Sequence, residues 1–427
     1  MHRIVNEMER LSPEMRLYLI YTLLVNIGVG VFILIYNLYL VQISLKEDFI
    51  GTFNAVQTVA MGVSALLIGV AINRYGTWRC TTYGTLFFLA SSVLLSVVRD
   101  PSAILFASAL NGAGLAFMTV PTMPFIVEWA SAEVRTMAAA LTFSLSSIAS
   151  TVGSLVGGWS PRVASSMLGI PVESVVSYRF ALLVGIGLAS FGMIPLWLMR
   201  QSRDHHQDDL AQSALFVELP ASTKRVRRDM TMFVLVGLIM SLGSGAVVPF
   251  VNVFLESRGS NPDQIGIIFS IAGVVAAVTS LFAPAIYRKY GALISSLFIR
   301  LMAAPLYLML AFSPQTSIAV VAQIVRTTSV SMAWPIDSSF ISDVLPPKAR
   351  ANAFSLRSAA WNLGYALTSV IAGELIVADG YRLTFVAYGL SMIVAIATYV
   401  LYFRRHPSYR KSRIKTASSS PASAISD

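Results

Sequence analysis

Leu17 to Leu40, "LYLIYTLLVNIGVGVFILIYNLYL", is a run of 24 residues without one charge. Runs of this kind fill the chain. A helix needs about 20 apolar residues to cross the hydrocarbon of a bilayer, and each residue adds about 1.5 Å of rise. Only 12% of the 427 residues are charged and 56% are hydrophobic, whereas a soluble domain carries about 25% charged residues. A water-exposed surface cannot be built from this composition, and the chain is read as an all-α membrane protein. The first run is too long for a signal-peptide core and no small-x-small cleavage site follows it, so it is expected to stay as a helix. Ser12-Pro13-Glu14 suits its start: a hydroxyl cap, proline at the first helical position, then an acid.

Twelve apolar segments are predicted, at about 17–40, 50–72, 80–98, 103–127, 136–158, 178–199, 230–255, 265–287, 292–312, 316–342, 351–377 and 382–403. An even number puts both termini on one side. Loops on that side, with the termini, hold 22 Lys and Arg against six on the other; the positive-inside rule makes the side cytoplasmic. The excess of basic residues therefore reads as topology, with attraction to anionic lipid as a lesser part, and nucleic acid is not expected as a partner. Residues 1–199 and 230–403 form two six-helix halves, 200–229 is a polar cytoplasmic linker and 404–427 a basic cytoplasmic tail. "DHHQDD" at Asp204–Asp209 in the linker is either a metal-binding run or a solvated one. The single cysteine, Cys80, excludes an internal disulfide.

The halves are copies. A shift of 215 residues carries Asn37 onto Asn252, Leu40 onto Leu255, Asp48 onto Asp263, Ile50-Gly51 onto Ile265-Gly266 and Tyr75-Gly76 onto Tyr290-Gly291. Without a gap it then carries Arg135 onto Arg350 and Gly158 onto Gly373. Both copies start on the same side, so the repeats are parallel, an arrangement common in transporters with a site at the repeat interface.

On these residues the chain resembles the major facilitator superfamily over nearly its whole length. That family carries G-x-x-x-D-[RK]-x-G-x-[RK]-[RK] between helices 2 and 3. Here Gly69, Arg74, Gly76 and Arg79 match it, while Asn73 replaces the aspartate and Trp78 one basic residue. The second copy keeps Lys289 and Gly291. Helix 5 is similar to a worn form of the family's G-x-x-x-G-P-x-x-G-G stretch, with Ala149, Gly153, Ser154, Gly157 and Gly158 but no proline; small residues at this spacing let helices approach closely.

The resemblance implies that the helix 2–3 loop latches the two halves on the cytoplasmic side when the transporter faces outward. Gly69, Asn73, Arg74, Gly76 and Arg79 are then gating residues. Arg74 is expected to pair with Glu128 at the end of helix 4, whose repeat mate is Asp343; the latch is expected to be weaker than the family's, or helped by Glu133 and by Arg135, whose mate Arg350 joins the gating set. Asn73 can cap a helix N-terminus without the charge the family's aspartate adds.

An ionisable group inside a membrane span is a functional candidate by default. Arg326 stands about ten residues into helix 10, one of the four helices that line the central cavity in the family. Asp337 follows eleven residues later on nearly the same stripe, about 16 Å along the axis. Arg326 suits a carboxylate, phosphate or sulfate group, or else it is locked to carbonyls or to Asp337 for packing. Gln323 lies beside it. Asn26, Asn37 and Asn111 of the first half, with Asn252, complete the candidate substrate-binding set. Asp337 is the proton-coupling candidate, or a plain ion pair. Arg300 and Arg357 are expected to snorkel, Glu374 to be wet, and Trp334, Trp361 and Tyr365 to line the path or to pack.

The expected function is secondary transport of a small solute by alternating access, anionic in preference to cationic, with a proton as a possible coupling ion. Export of amphipathic compounds and metal-ion transport (iron, for example) stay open, as does a transporter-like receptor or scaffold without transport. No nucleophile–base pair, phosphate-cradling loop or metal-ligand cluster stands in the spans, so neither an enzyme nor a cofactor is expected. Lean loops suggest a bacterial inner membrane, with lipid and the solute as partners.

Overall fold

The computed structural model describes residues 11–131, 134–200, 224–404 and 406. Glu133, most of the linker, Asp204–Asp209 included, and the tail beyond residue 406 lie outside the described residues. Among the described residues eleven helices are long and apolar enough to span a bilayer. In chain order they are α1 (Pro13–Gln42), α2 (Glu47–Tyr75), α3 (Thr77–Val97), α4 (Pro101–Trp129), α5 (Arg135–Leu168), α6 (Val175–Met199), α7 (Lys224–Ser257), α8 (Pro262–Ser280), α9 (Leu293–Phe312), α11 (Pro347–Asp379) and α12 (Arg382–Phe403). Between α9 and α11 lies α10 (Thr316–Val344), 29 residues long and therefore long enough at about 1.5 Å per residue. Gln323, Arg326, Asp337 and a set of hydroxyls make it more polar than the rest. The twelve predicted segments each have their helix.

The starts follow the local chemistry. Ser12 Oγ accepts from the Met15 N–H at 3.2 Å with Pro13 behind it, so the cap expected for the first helix forms. At α4 Asp100 accepts from the Ala103 N–H at 2.9 Å and Pro101 leads. The Ser102 hydroxyl and that N–H hold the exposed Asp100 carboxyl below the usual carboxylate range. Inside the spans the threonines and serines mostly return their hydroxyls to the carbonyl one turn back, as Thr85 does to Thr81 and Thr142 to Ala138, both at 2.8 Å. That settles a polar group where no water is available.

The chain divides into two compact units, and their boundary is not the repeat boundary. Residues 249–271, which the 215-residue shift assigns to the second copy, pack with the first unit (1–217); residues 218–248 and 272–427 form the other. The division cuts α7 at a 3₁₀ turn, Val248–Phe250, where Pro249 lacks the N–H an α-helix needs.

Repeat mates make equivalent contacts within their own units. Tyr18 stacks on Phe125 with ring centroids 4.1 Å apart, and Phe233 meets Phe340 edge-on at 5.7 Å; both residues of the second pair are the first pair shifted by 215. Gly30 of α1 is pressed against the backbone of Ser150, so that a Cβ there would stand 2.3 Å from the Ser150 carbonyl oxygen. Its mate Gly245 meets Tyr365, the mate of Ser150, with the same conflict at 2.4 Å. Gly153 of the α5 stretch likewise has the Ile27 oxygen where a Cβ would go. The small residues admit α1 to α5 and α7 to α11 at backbone contact, where dispersion rather than hydrophobicity holds helices together.

Gly30→Ala and Gly245→Ala should each lower stability by about 1–3 kcal/mol, the range for forced overpacking. Gly187→Ala, whose added Cβ meets nothing within 4 Å, should be neutral or slightly stabilising. Thermal unfolding of the three variants in one detergent checks this; equal melting temperatures would remove the close approach as a source of stability.

Candidate functional site

The helix 2–3 connection is built around one backbone shape. Gly76 has φ +81° and ψ 162°, and its mate Gly291 has φ +76° and ψ 168°. This region is open essentially to glycine alone, which accounts for the glycine that both copies of the motif keep. The polar partners differ from the expected ones. Glu128 accepts from the Thr77 hydroxyl at the start of α3, where the helix N-terminus also favours its charge. Arg74 and Arg79 are exposed and, among the described residues, form no ion pair; the Arg74 guanidinium lies over its neighbour Tyr75, 5.4 Å from the ring centroid. Asn73 is exposed and α3 has no side-chain cap, so the expected cap does not form. Trp78, standing for a basic residue, donates from its indole to the Leu196 carbonyl at 2.9 Å and ties α3 to the end of α6.

Arg135 and Arg350 act alike. Arg135 Nη2 donates to the Val127 carbonyl at 3.1 Å, and Arg350 Nη2 to the Ser342 carbonyl at 2.7 Å. Val127 and Ser342 are repeat mates, so in each copy an arginine at the start of one helix closes the end of the preceding one. Asp343 accepts from the Tyr287 hydroxyl at 2.5 Å. Gly69 lies within α2.

Asn37 and Asn252 form a reciprocal pair inside the first unit. Asn37 Nδ2 donates to the Pro249 carbonyl and Asn252 Nδ2 to the Leu34 carbonyl, both at 2.7 Å. Leu34 and Pro249 are themselves repeat mates. Each asparagine thus fills the carbonyl one helix presents to the other, and both are buried. The structure gives them a helix-joining contact. Asn111 is also buried: it accepts from Gln57 Nε2 at 2.8 Å and donates to Ser91 and Ser92 at 3.1 and 3.0 Å, so its amide is used within α2, α3 and α4. Asn26 donates to the Thr22 carbonyl at 2.8 Å and reaches Ser146 of α5.

In the second unit Arg326 is partly exposed and held by Gln323, whose Oε1 accepts from Nε at 3.2 Å and from Nη2 at 3.0 Å. Tyr307, Tyr365 and Tyr388 all lie close enough to the guanidinium to feel its charge. Tyr307 and Tyr388 pack ring against ring at 4.3 Å. Among the described residues no carboxylate pairs with Arg326. It is a cation fixed by a neutral amide and faced by tyrosines, on a helix otherwise short of charge.

Asp337 does not meet Arg326. Its Oδ2 takes both Arg300 Nη2 and Arg357 Nη2, so helices α9, α10 and α11 meet at one buried carboxylate. The snorkelling expected of Arg300 and Arg357 is corrected here: their side chains are only 12% and 13% exposed, because an acid within reach satisfies them better than a distant membrane surface. Three arginines and one aspartate within neighbouring spans carried that signal. Glu374 and Trp334 are exposed.

One cluster was not foreseen. Glu256 near the end of α7 accepts from the buried Tyr178 hydroxyl of α6 at 2.5 Å and from Gln42 of α1 at 3.5 Å. Nearby Arg162 pairs with Asp263 at 3.0 Å. These polar residues stand at span ends, where the pattern of apolar runs carries no information about partners.

Comparison with known proteins agrees with this architecture. A sequence model of the Major Facilitator Superfamily matches residues 18–336 and 233–426. An uncharacterised MFS-type transporter of Bacillus subtilis (strain 168), YddS, is 22% identical over 384 residues, covering 84% of this chain and 85% of its own. Among solved structures, the nucleoside transporter NupG superposes with a TM-score of 0.71 at 16% identity, over 92% of this chain and 99% of NupG. An inward-facing, occupied bacterial homologue of the human lysosomal transporter Spinster gives 0.72 at 14%, over 93% and 97%.

Asn37→Ala and Asn252→Ala should each cost about 1–3 kcal/mol, the penalty of a buried carbonyl left without its donor. Because both bonds hold one helix contact, the double variant should lose less than the sum of the single losses. Thermal melts of the four proteins measure the coupling; strict additivity would show that the two bonds act independently.

Proposed function

Because the chain belongs to the major facilitator superfamily, we propose that it is a secondary transporter of a small solute that works by alternating access, and that the solute carries a negative charge engaged by Arg326. The transporter class is the family's, and an enzymatic role is not part of it. The observation that carries the anionic reading is Arg326 itself: a guanidinium inside a span, anchored by Gln323 and without an acid partner among the described residues. Keeping such a charge in a span is costly, about 2.5–3.5 kcal/mol on insertion scales, and packing alone gives no return for it. A planar fork of five donors matches a carboxylate or phosphate, and the hydroxyl of Tyr307 with the rings of Tyr365 and Tyr388 supplies polar and aromatic surface beside it. The solutes named for the structural relatives differ among themselves, so they lend the fold and not the substrate.

Asp337 is the group we assign to proton coupling. Protonating it would loosen two ion pairs and so free α9, α10 and α11 from a common tie. The basic excess on one set of loops supports cytoplasmic termini, and the lean loops support a bacterial inner membrane.

The purified protein should gain thermal stability from organic carboxylates or phosphates, by about 2.7 kcal/mol at a hundred times the dissociation constant. Arg326→Ala should lose the gain and Arg326→Lys keep part of it. A cationic compound or a divalent metal that stabilises wild type and Arg326→Ala equally, with no anion doing so, would overturn the anionic reading.

A further inference from the structure

The Arg300–Asp337–Arg357 group has more to it than two ion pairs. Two guanidiniums share one carboxylate oxygen, Asp337 Oδ2, and the other, Oδ1, is buried without a partner. The Arg300 Nη1 donor points at the Met240 thioether, 2.7 Å away, a weak acceptor for a cationic donor. Tyr399 of α12 lies within the electrostatic reach of all three residues and beside Ser296, yet neither hydroxyl makes a well-formed hydrogen bond to any protein group. The same unit contains every one of these residues.

Two imbalances follow. The charges sum to one positive, buried among helices where an unpaired ion costs several kcal/mol. The donors are also under-used: among the described residues the side chains of Arg300 and Arg357 bond only to Asp337 Oδ2 and the Met240 thioether, and the hydroxyls of Ser296 and Tyr399 have no well-formed partner. A water molecule would relieve the hydroxyls but not the charge, and a cation would add to the surplus. A small anion relieves both, because it accepts from guanidinium and hydroxyl alike. Orphaned polar atoms call for a bound water or ion; the surplus positive charge selects an anion for the guanidinium and hydroxyl side of the group, away from Asp337 Oδ1.

We propose that Arg300 and Arg357, with Ser296 and Tyr399, form a binding site for one small monovalent anion of halide size, separate from the Arg326 site. The excess guanidinium charge supplies the affinity and Asp337 limits it to one anion. The site does not rest on the reading of Arg326. Each charge change at the triad has a predicted sign, because removing an arginine leaves a neutral pair while removing the aspartate's charge doubles the surplus.

The test is a chloride titration of the full-length protein in detergent at constant ionic strength, with a bulky sulfonate as the replaced anion and melting temperature as the readout. Wild type should rise by a few degrees with chloride, and Arg326→Ala should rise equally. Arg300→Gln and Arg357→Gln should fold and lose the rise, Arg300→Lys should keep it, and Asp337→Asn should reach its midpoint at about tenfold lower chloride. No rise in wild type overturns the site, as does a rise retained in both glutamine variants. A rise that Arg326→Ala abolishes also overturns it, since the anion then sits at Arg326 and the reading of that residue is strengthened instead. Should either glutamine variant fail to fold, the unchanged response expected of Arg300→Lys and the lower chloride midpoint expected of Asp337→Asn decide the matter, and an Asp337→Asn midpoint equal to or above that of wild type overturns the site.

Discussion

A bilayer offers no hydrogen-bond partners, and this constraint orders the rest of the molecule. Every span is a helix because only a helix satisfies its own backbone. Each polar side chain inside must then find a protein partner, and most do so within one turn, as Thr85 and Thr142 do. Charged groups deep in the described spans are few: Arg326, held by the Gln323 amide, and the buried Arg300, Asp337 and Arg357, which hold one another. The proposals made for this protein rest on these.

Duplication supplies the second layer of order. The 215-residue shift matches contacts as well as residues: Gly30 against Ser150 and Gly245 against Tyr365, Arg135 on Val127 and Arg350 on Ser342, Asn37 on Pro249 and Asn252 on Leu34. The asparagine pair also shows where symmetry yields to packing. The C-terminal part of α7, beyond its 3₁₀ turn, belongs to the first compact unit. Pro249 serves there twice, breaking the helix and presenting the carbonyl that Asn37 takes.

The sequence made the helices legible because apolar runs about 20 residues long permit little else in a bilayer. The duplication was legible because Asn37, Gly76 and Arg135 keep their mates in one register. Partners were far less so. Arg326 and Asp337 share a stripe of α10, which suggested that they could meet, but helical spacing describes one helix and the partners of Asp337 come from α9 and α11. Charge and family likeness point Glu128 to Arg74, whereas it accepts from the Thr77 hydroxyl at the start of α3. Asn111 and Asn37 looked like free polar groups because periodicity cannot count hydrogen bonds across helices.

The proposed role of Arg326 is to engage a negatively charged solute while access alternates between the two sides. Its most direct test is charge movement in proteoliposomes on a solid-supported electrode, with organic anions and cations presented in turn. Anions and not cations should give a saturable current, and Arg326→Ala should abolish it. For a fully compensated proton–anion pair, uptake of the radiolabelled anion replaces the current as the readout. Transport that Arg326→Ala leaves intact, or transport of cations alone, would contradict it.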